Sequence, residues 1–428
     1  MKNQREIVIE LLNKYEEENK SLDDLLNNLT NLNSQEYGFV KTLLYGTVRY
    51  KIRLDYIIKK LSKIKFNKIH KSILNILRIS LYQIIYMDHI PERAVVNEGV
   101  ELAKKFGNKG SVGFVNGSLR NFIRNKEKFL KVNLNNELER FSIIYSFPMW
   151  LVENIKENYQ YYNLEEILNK FNEEAEFGIR INVLKTSKDD FLNEIKKSYN
   201  FKDMDHSTNG TVLENPSNIF NTKIYNEGYF YVMSQSSQLV SEMIFKYIKP
   251  TKVLDMCAAP GGKITHTYEL SKGTGEFLAC DISDYKLKLI KENLERLYNS
   301  ESIKLCKNDG TKINENFIEK FDLVILDAPC SALGLIRKMP EIKYNKKPES
   351  LKSLSNMQLK MLNNASKYVL KEGVISYSTC TFTKEENIEV IEKFLMVNKN
   401  FELLESRKIS PSDFNSDGFS IFILKRID

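Results

Sequence analysis

Hydrophobic residues change their rhythm twice along this 428-residue chain. Up to about residue 140 they recur three and four positions apart, the spacing of an amphipathic helix. "REIVIELLNKY" (5–15), "SQEYGFVKTLLYGTVRYKIRLDYIIKKL" (34–61) and "KSILNILRISLYQIIYM" (71–87) all show it, and in the last Ile73, Leu77, Leu81 and Ile84 form one stripe. "HIPERAVVNEGVELAKKF" (89–106) predicts a helix that starts at its proline, which suits a first helical turn. "GNKGSVGFVNGSLRNFIRNK" (107–126) reads as a Gly-rich turn entering a basic helix, and no strand pattern interrupts the region. Residues 1–140 are therefore expected to be an all-α domain. From 141 to 240 the pattern mixes. "FGIRINVLK" (177–185) alternates at Ile179, Ile181 and Val183, "SKDDFLNEIKKSY" reads as a helix, and "GYFYVM" (228–233) as another strand, which predicts a small α+β subdomain. From 241 to 428 strands alternate with helices. The strands are "KVLDMC" (252–257), "EFLAC" (276–280), "SIKLC" (302–306), "DLVILD" (322–327), "GVISYS" (373–378) and a closing pair near "FELLE" and "FSIFILK". That order predicts an α/β, doubly wound, Rossmann-like sheet with its ligand beyond the carboxyl ends of the strands.

Composition narrows the class. With 42% hydrophobic and 28% charged residues the chain reads as an ordinary globular protein. The N-terminal stretch is charged throughout, unlike a signal peptide. The most apolar run, 72–87, contains Asn75, Arg78 and Gln83 and is too short and polar to span a bilayer. A cytoplasmic protein with no membrane partner, acting as a monomer, is expected. The five cysteines, Cys257, Cys280, Cys306, Cys330 and Cys380, all lie beyond residue 250 and none are in C-x-x-C spacing, so neither disulfides nor zinc are expected; the four histidines are scattered. The net charge of +7 is uneven. Residues 41–131 carry 20 Lys plus Arg against 6 Asp plus Glu, a balance of +14, which leaves −7 for the rest. That segment is either a lysine-rich solvated surface or the electrostatic footprint of a nucleic acid.

The chemistry gathers at predicted strand ends. "VLDMCAAPGGK" (253–263) runs a strand through small residues into a helix, and Gly261 and Gly262 let the backbone approach a ligand. It is neither a Walker A loop nor G-x-G-x-x-G, which disfavours a pyrophosphate. "ACDIS" puts Asp281 at the end of the second strand, suited to ribose hydroxyls, and "KNDGT" puts Asp309 just after the third. One such aspartate is commonly a turn cap, but three polar stations in register suit an adenosine without phosphates and point to S-adenosylmethionine. "DAPCSALG" (327–334) and "SYSTCTF" (376–382) each set a cysteine just past a strand. Cysteines are commonly small buried hydrophobes. Two at strand exits over a cofactor site argue against that reading and make both thiols candidates for chemistry.

"DMCAAPGGK", "DAPCSALG" and "YSTCTFTKEEN" resemble the motifs of the RNA cytosine-C5 methyltransferases. "GTVRYKIRLDYII", "LRISLYQIIYMDHIPERAVVNEGVELAK" and "GFVNGSLR" resemble the NusB-like, RNA-binding N-terminal domain of the bacterial 16S rRNA methyltransferases of the RsmB, Sun or Fmu type, and "YSFPMWLVENI" and "RINVLK" are similar to their middle region. The resemblance implies a NusB-like domain over 1–140, a connecting subdomain over 141–240 and a class I methyltransferase domain over 241–428. It implies that Cys257, Ala258, Ala259, Pro260, Gly261, Gly262, Lys263, Asp281, Asp309 and Asp327 line an S-adenosylmethionine site. It also implies that Cys380 is the nucleophile, that Cys330 assists product release, and that small-subunit rRNA is the partner. Asp327 stands where a carboxyl could hydrogen-bond N3 of the base. A tRNA substrate, or a non-catalytic RNA-binding factor, are the alternatives. The family usually has Gly where this chain has Ala332, often has Gln-Asp where it has Met233 and Ser234, and often has Trp where it has Tyr344, a ring still able to stack on a base.

Overall fold

The computed structural model describes residues 3–18, 20–29, 32–298 and 302–428. The chain divides into two compact units. One comprises residues 1–172 with the excursion 338–346; the other comprises 173–337 and 347–428.

The first unit is helical, with its longer helices at Gln4–Glu18, Ser34–Arg49, Lys51–Leu61, Lys71–Tyr86, Glu92–Phe106 and Lys109–Arg124. The helix Lys71–Tyr86 is buried on every side from Ser72 to Ile84, which accounts for apolar residues on all its faces. Its largest polar exceptions find partners. Arg78 forms a fork on Asp55 (2.6 and 2.8 Å) and reaches Glu16 at 2.7 Å, and Asn75 donates to Asn13. The pattern over 34–61 predicted one helix, but the chain breaks at Tyr50, where φ is −106° and ψ 19°. Nothing in the local sequence forces the break. The Tyr50 ring stacks on Tyr86 with centroids 4.1 Å apart, a tertiary contact that overrides a continuous local pattern. Pro91 precedes its helix as the cap, one position before the predicted first turn.

The second unit holds two sheets. In the smaller, strands β1 (Phe177–Ile181), β2 (Asn200–Asp203), β3 (Gly210–Glu214) and β4 (Phe230–Val232) run in the order β2-β3-β1-β4, with each pair antiparallel. β1 and β4 lie within the two predicted strands, but β1 ends at Ile181, before Val183, and is buried on both faces from Gly178 on. β2 and β3 show no alternating pattern: β2 is mostly exposed and β3 is almost wholly buried. The larger sheet contains β5 (Lys252–Asp255), β6 (Glu276–Asp281), β7 (Lys304–Lys307), β8 (Phe321–Asp327), β9 (Val369–Thr379), β10 (Phe401–Ile409) and β11 (Phe419–Arg426). Their order is β10-β11-β9-β8-β5-β6-β7, parallel from β9 to β7 and antiparallel at the β9, β11, β10 edge. Alternate residues of β5, β8 and β9 feed two cores. Val253, Leu323 and Val374 pack on one face, and Leu254, Val324 and Ile375 on the other. Strand order reverses between β5 and β8, so their carboxyl ends open the crevice in which such sheets take ligands.

Candidate active site

The register of β8 on β9 sets Asp327 opposite Ser378, and each strand then exits into a cysteine. Cys330 Sγ and Cys380 Sγ lie 3.3 Å apart, and both residues are partly exposed. The two loops are held from behind by Glu386, which is fully buried. Its carboxylate accepts from the Ser331 N–H (2.8 Å), the Ser331 hydroxyl (2.5 Å), the Thr383 hydroxyl (2.9 Å) and the Gln358 amide (3.1 Å). The short contact with Cys380, then burial, any charge on Cys380 and the Glu386 carboxylate push the Cys330 thiol well above its ordinary range.

Asp327 is bonded on both oxygens. Lys263 Nζ donates to Oδ2 at 2.6 Å and the Ser378 hydroxyl donates to Oδ1 at 2.7 Å. Burial disfavours the Lys263 ammonium, but Asp327, Asp255 and Cys380 face it, and its net shift is upward. Lys263 is thus tied to the predicted base-facing carboxyl as well as sitting in the predicted cofactor loop.

The loop 257–263 leaves β5 as a tight turn. Ala258 N–H donates to Cys280 O at 2.8 Å, which ties the turn to the end of β6. Gly261 takes φ 108°, a left-handed backbone that favours glycine, and the helix Gly262–Leu270 follows at once. Burial, then the carboxylates of Asp255, Asp281 and Asp327, raise the Cys257 thiol well above its usual range, which marks it as an inert thiol. Asp281 is nearly fully buried and its Oδ1 lies 3.5 Å from Lys286 Nζ. Ile282 beside it is 58% exposed, an apolar face next to the carboxyl. Asp309 uses Oδ1 for its own turn, accepting from the Thr311 N–H (3.0 Å) and hydroxyl (2.7 Å); those bonds hold its carboxyl below the ordinary range.

Three features were not singled out from the sequence. Asp255, in the same motif as the loop, is buried and accepts from the Cys257 N–H at 3.2 Å; burial, then Asp327, push its carboxyl up to about 7. Ser378 and Glu386 flank the cysteine in "YSTCTFTKEEN", but their partners are fixed only by the fold. Ala332 takes φ 60° and ψ 22°, so the glycine usual in the family would be unstrained here. Tyr344 is partly buried. It packs on the helical core of its own unit, its hydroxyl lies 3.3 Å from Ser146 Oγ, and Lys51 Nζ lies 5.6 Å from its ring centroid. Among the described residues no group of side chains suits a metal, and no helix is long and apolar enough to cross a membrane.

Asp281 and Asp327 are offset at these strand ends by Lys286 and Lys263, and the Asp255 carboxyl is pushed up, so the crevice offers no surplus of positive charge to hold a phosphate. A mostly parallel sheet with a Gly-rich first turn and an acidic second strand end defines a class I methyltransferase domain. Residues 243–420 match the family described as 16S rRNA methyltransferase RsmB/F, residues 2–124 match the NusB family, and residues 147–220 match the ferredoxin-like domain of RsmF/B-like methyltransferases. The chain is 33% identical to the probable ribosomal RNA small subunit methyltransferase B of Bacillus subtilis (strain 168), over 99% of this chain and 98% of that protein. It is 30% identical to the ribosomal RNA small subunit methyltransferase B of Proteus mirabilis (strain HI4320), over 92% of each. Among solved structures, that of PH0851 is similar with a TM-score of 0.79 at 22% identity, over 99% of both chains. NSun6 from Pyrococcus horikoshii with SFG is similar with a TM-score of 0.60 at 22% identity, over 67% of this chain and 100% of that one. The chain belongs to the 16S rRNA methyltransferase RsmB/F family of RNA methyltransferases.

Proposed function

We propose that this protein methylates C5 of one cytosine in small-subunit rRNA in the cytoplasm, with Cys380 as nucleophile, Cys330 as the group that receives the C5 proton, and Asp327 at N3. The observation that carries the reading is the pair of sulfurs 3.3 Å apart, beside an aspartate bonded to a lysine at 2.6 Å. In this reading residues 1–140 grip the RNA, 141–240 connect, and 241–428 carry the chemistry. S-adenosylmethionine, when bound, supplies an electrophilic methyl on a sulfonium. The loop 257–263 would hold it through first-turn N–H groups, and Asp281 would take its ribose hydroxyls. The known relatives support rRNA as substrate.

The chain's own residues then act in sequence. Cys380, as thiolate, forms a bond to C6, and the displaced electron pair is drawn to N3, where the Lys263–Asp327 pair presents a proton. C5 becomes enamine-like and takes the methyl. Cys330, as thiolate, removes the C5 proton, the C6–sulfur bond breaks to return Cys380 as thiolate, and the N3 proton goes back to the Lys263–Asp327 pair. The proton that Cys330 carries at the start has to leave to water first, which becomes easier once the Cys380 sulfur is a neutral thioether.

Bisulfite sequencing of 16S rRNA and tRNA from a strain lacking the gene tests the assignment. One unprotected cytosine in 16S rRNA is expected. A change confined to tRNA would move the substrate, and unchanged RNA of both kinds would overturn the reading.

A further inference from the structure

"RINVLK" has no role in the chemistry above. Its arginine, Arg180, lies on β1 of the smaller sheet and is fully buried. It forms a fork on Glu269, Nε to Oε2 at 2.9 Å and Nη2 to Oε1 at 2.8 Å, which suffices to balance its charge. The guanidinium reaches further than that. Nη1 donates to Gly262 O at 2.7 Å, Nη2 donates to Thr265 Oγ1 at 3.0 Å, and the group lies 5.2 Å from the centroid of the Tyr231 ring. Gly262 opens the helix that ends the loop 257–263. The neighbouring carbonyl, Pro260 O, is held in the same way, by the Tyr231 hydroxyl at 3.3 Å and the Asn293 amide at 3.0 Å.

These bonds act on the face of the loop opposite the ligand. In a trans peptide the carbonyl and the following N–H point in opposite directions. A donor that fixes Gly262 O therefore fixes the Lys263 N–H, one of the first-turn donors with no intrahelical partner. It also fixes where the Lys263 side chain starts, and that side chain ends 2.6 Å from Asp327.

We propose that Arg180 is a positioning residue of the methyl-transfer site: from the smaller sheet it sets the Gly262–Lys263 peptide, and through it both the cofactor-facing N–H groups and the Lys263 ammonium. This rests on the reading that the loop 257–263 takes S-adenosylmethionine.

Removing Arg180 alone would leave Glu269 buried without its counter-charge, so the test uses Arg180→Met/Glu269→Gln, Glu269→Gln and Arg180→Lys in the full chain. Calorimetry with S-adenosylmethionine, thermal unfolding, and kinetics in both substrates are the readouts. Glu269→Gln keeps the bond to Gly262 O and is expected to bind S-adenosylmethionine within about threefold of wild type. The double variant is expected to unfold cooperatively yet bind about tenfold or more weakly, the loss of one charge-assisted hydrogen bond. Its KM for S-adenosylmethionine should rise while its KM for RNA stays unchanged, and Arg180→Lys should recover part of the loss. A merely structural role would lower kcat through a smaller active fraction and leave the KM for S-adenosylmethionine unchanged. That result, or a folded double variant with wild-type affinity, would overturn the role of Arg180 while leaving the methyltransferase reading intact. Should the double variant not fold, an Arg180→Lys affinity equal to that of wild type would overturn the role, and a weakened one supports it. A wild-type protein that does not bind S-adenosylmethionine would overturn both.

Discussion

Replacing Asp255 by asparagine tests the electrostatics of the crevice without touching its shape. Asp255 is 1% exposed, and its carboxyl is pushed from 3.8 up to about 7, first by burial and then by Asp327; Lys263 and the Cys257 N–H oppose the shift. Asparagine keeps the Oδ1 acceptor for Cys257 and cannot ionise. A shift of roughly three units corresponds to about 4 kcal/mol at 1.36 kcal/mol per unit. The folded value lies above the unfolded one. The protonated carboxyl therefore contributes its full stability below about pH 4, and that contribution is lost as the pH rises to 7. Thermal unfolding of wild type and Asp255→Asn at matched pH from 4 to 8 reads the contribution of Asp255 together with that of the groups it faces, Lys263, Asp327 and Cys257, while distant groups cancel in the difference. The midpoint of the variant is expected to climb relative to wild type across that window. At about 2–4 °C per kcal/mol for a unit of this size, the full swing is roughly 8–16 °C. A difference that stays flat with pH would refute the claim that a carboxylate is buried there at a cost.

Other outcomes follow from the same geometry. Charge reversal at Lys63, Lys65 and Lys68, all exposed, should weaken RNA binding and flatten the slope of log K against log salt; Arg49 (buried) and Lys51 (3.3 Å from Glu16) are poor choices for that test. Ala332→Gly relieves a left-handed alanine and should stabilise the fold by about 0.5–1 kcal/mol, read by denaturant unfolding. Glu386→Gln removes a negative charge beside Cys330 while keeping its shape, so the pH at which iodoacetamide begins to label Cys330 should fall, as followed by mass spectrometry.

Much of this architecture is written locally. The three- and four-residue spacing of "KSILNILRISLYQIIYM" and the apolar runs of β5, β8 and β9 dictate their elements whatever surrounds them. So do the strand-end positions of Asp281, Asp327, Cys330 and Cys380, because a strand's exit is a local event. Pairings made through space are not written that way. Glu386 reads as one carboxylate in a charged run until Ser331, some 55 positions away, donates to it twice. Arg180 reads as a polar interruption of a strand until Gly262 and Glu269 are folded against it. The break at Tyr50 has the same origin, since its stacking on Tyr86 settles it against a sequence pattern that gives no warning.

The central claim is the division of labour between the two thiols. Cys380→Ser and Cys330→Ser, incubated with substrate RNA and S-adenosylmethionine and run on denaturing gels, test it most directly. A serine hydroxyl is far less ionised than a thiol, so Cys380→Ser should be inactive and trap nothing. Cys330→Ser should add to the base, transfer the methyl and stall as a slow-migrating protein–RNA adduct through Cys380. The reverse pattern would contradict the assignment by exchanging the two roles, and full activity in both variants would contradict covalent catalysis at this site altogether.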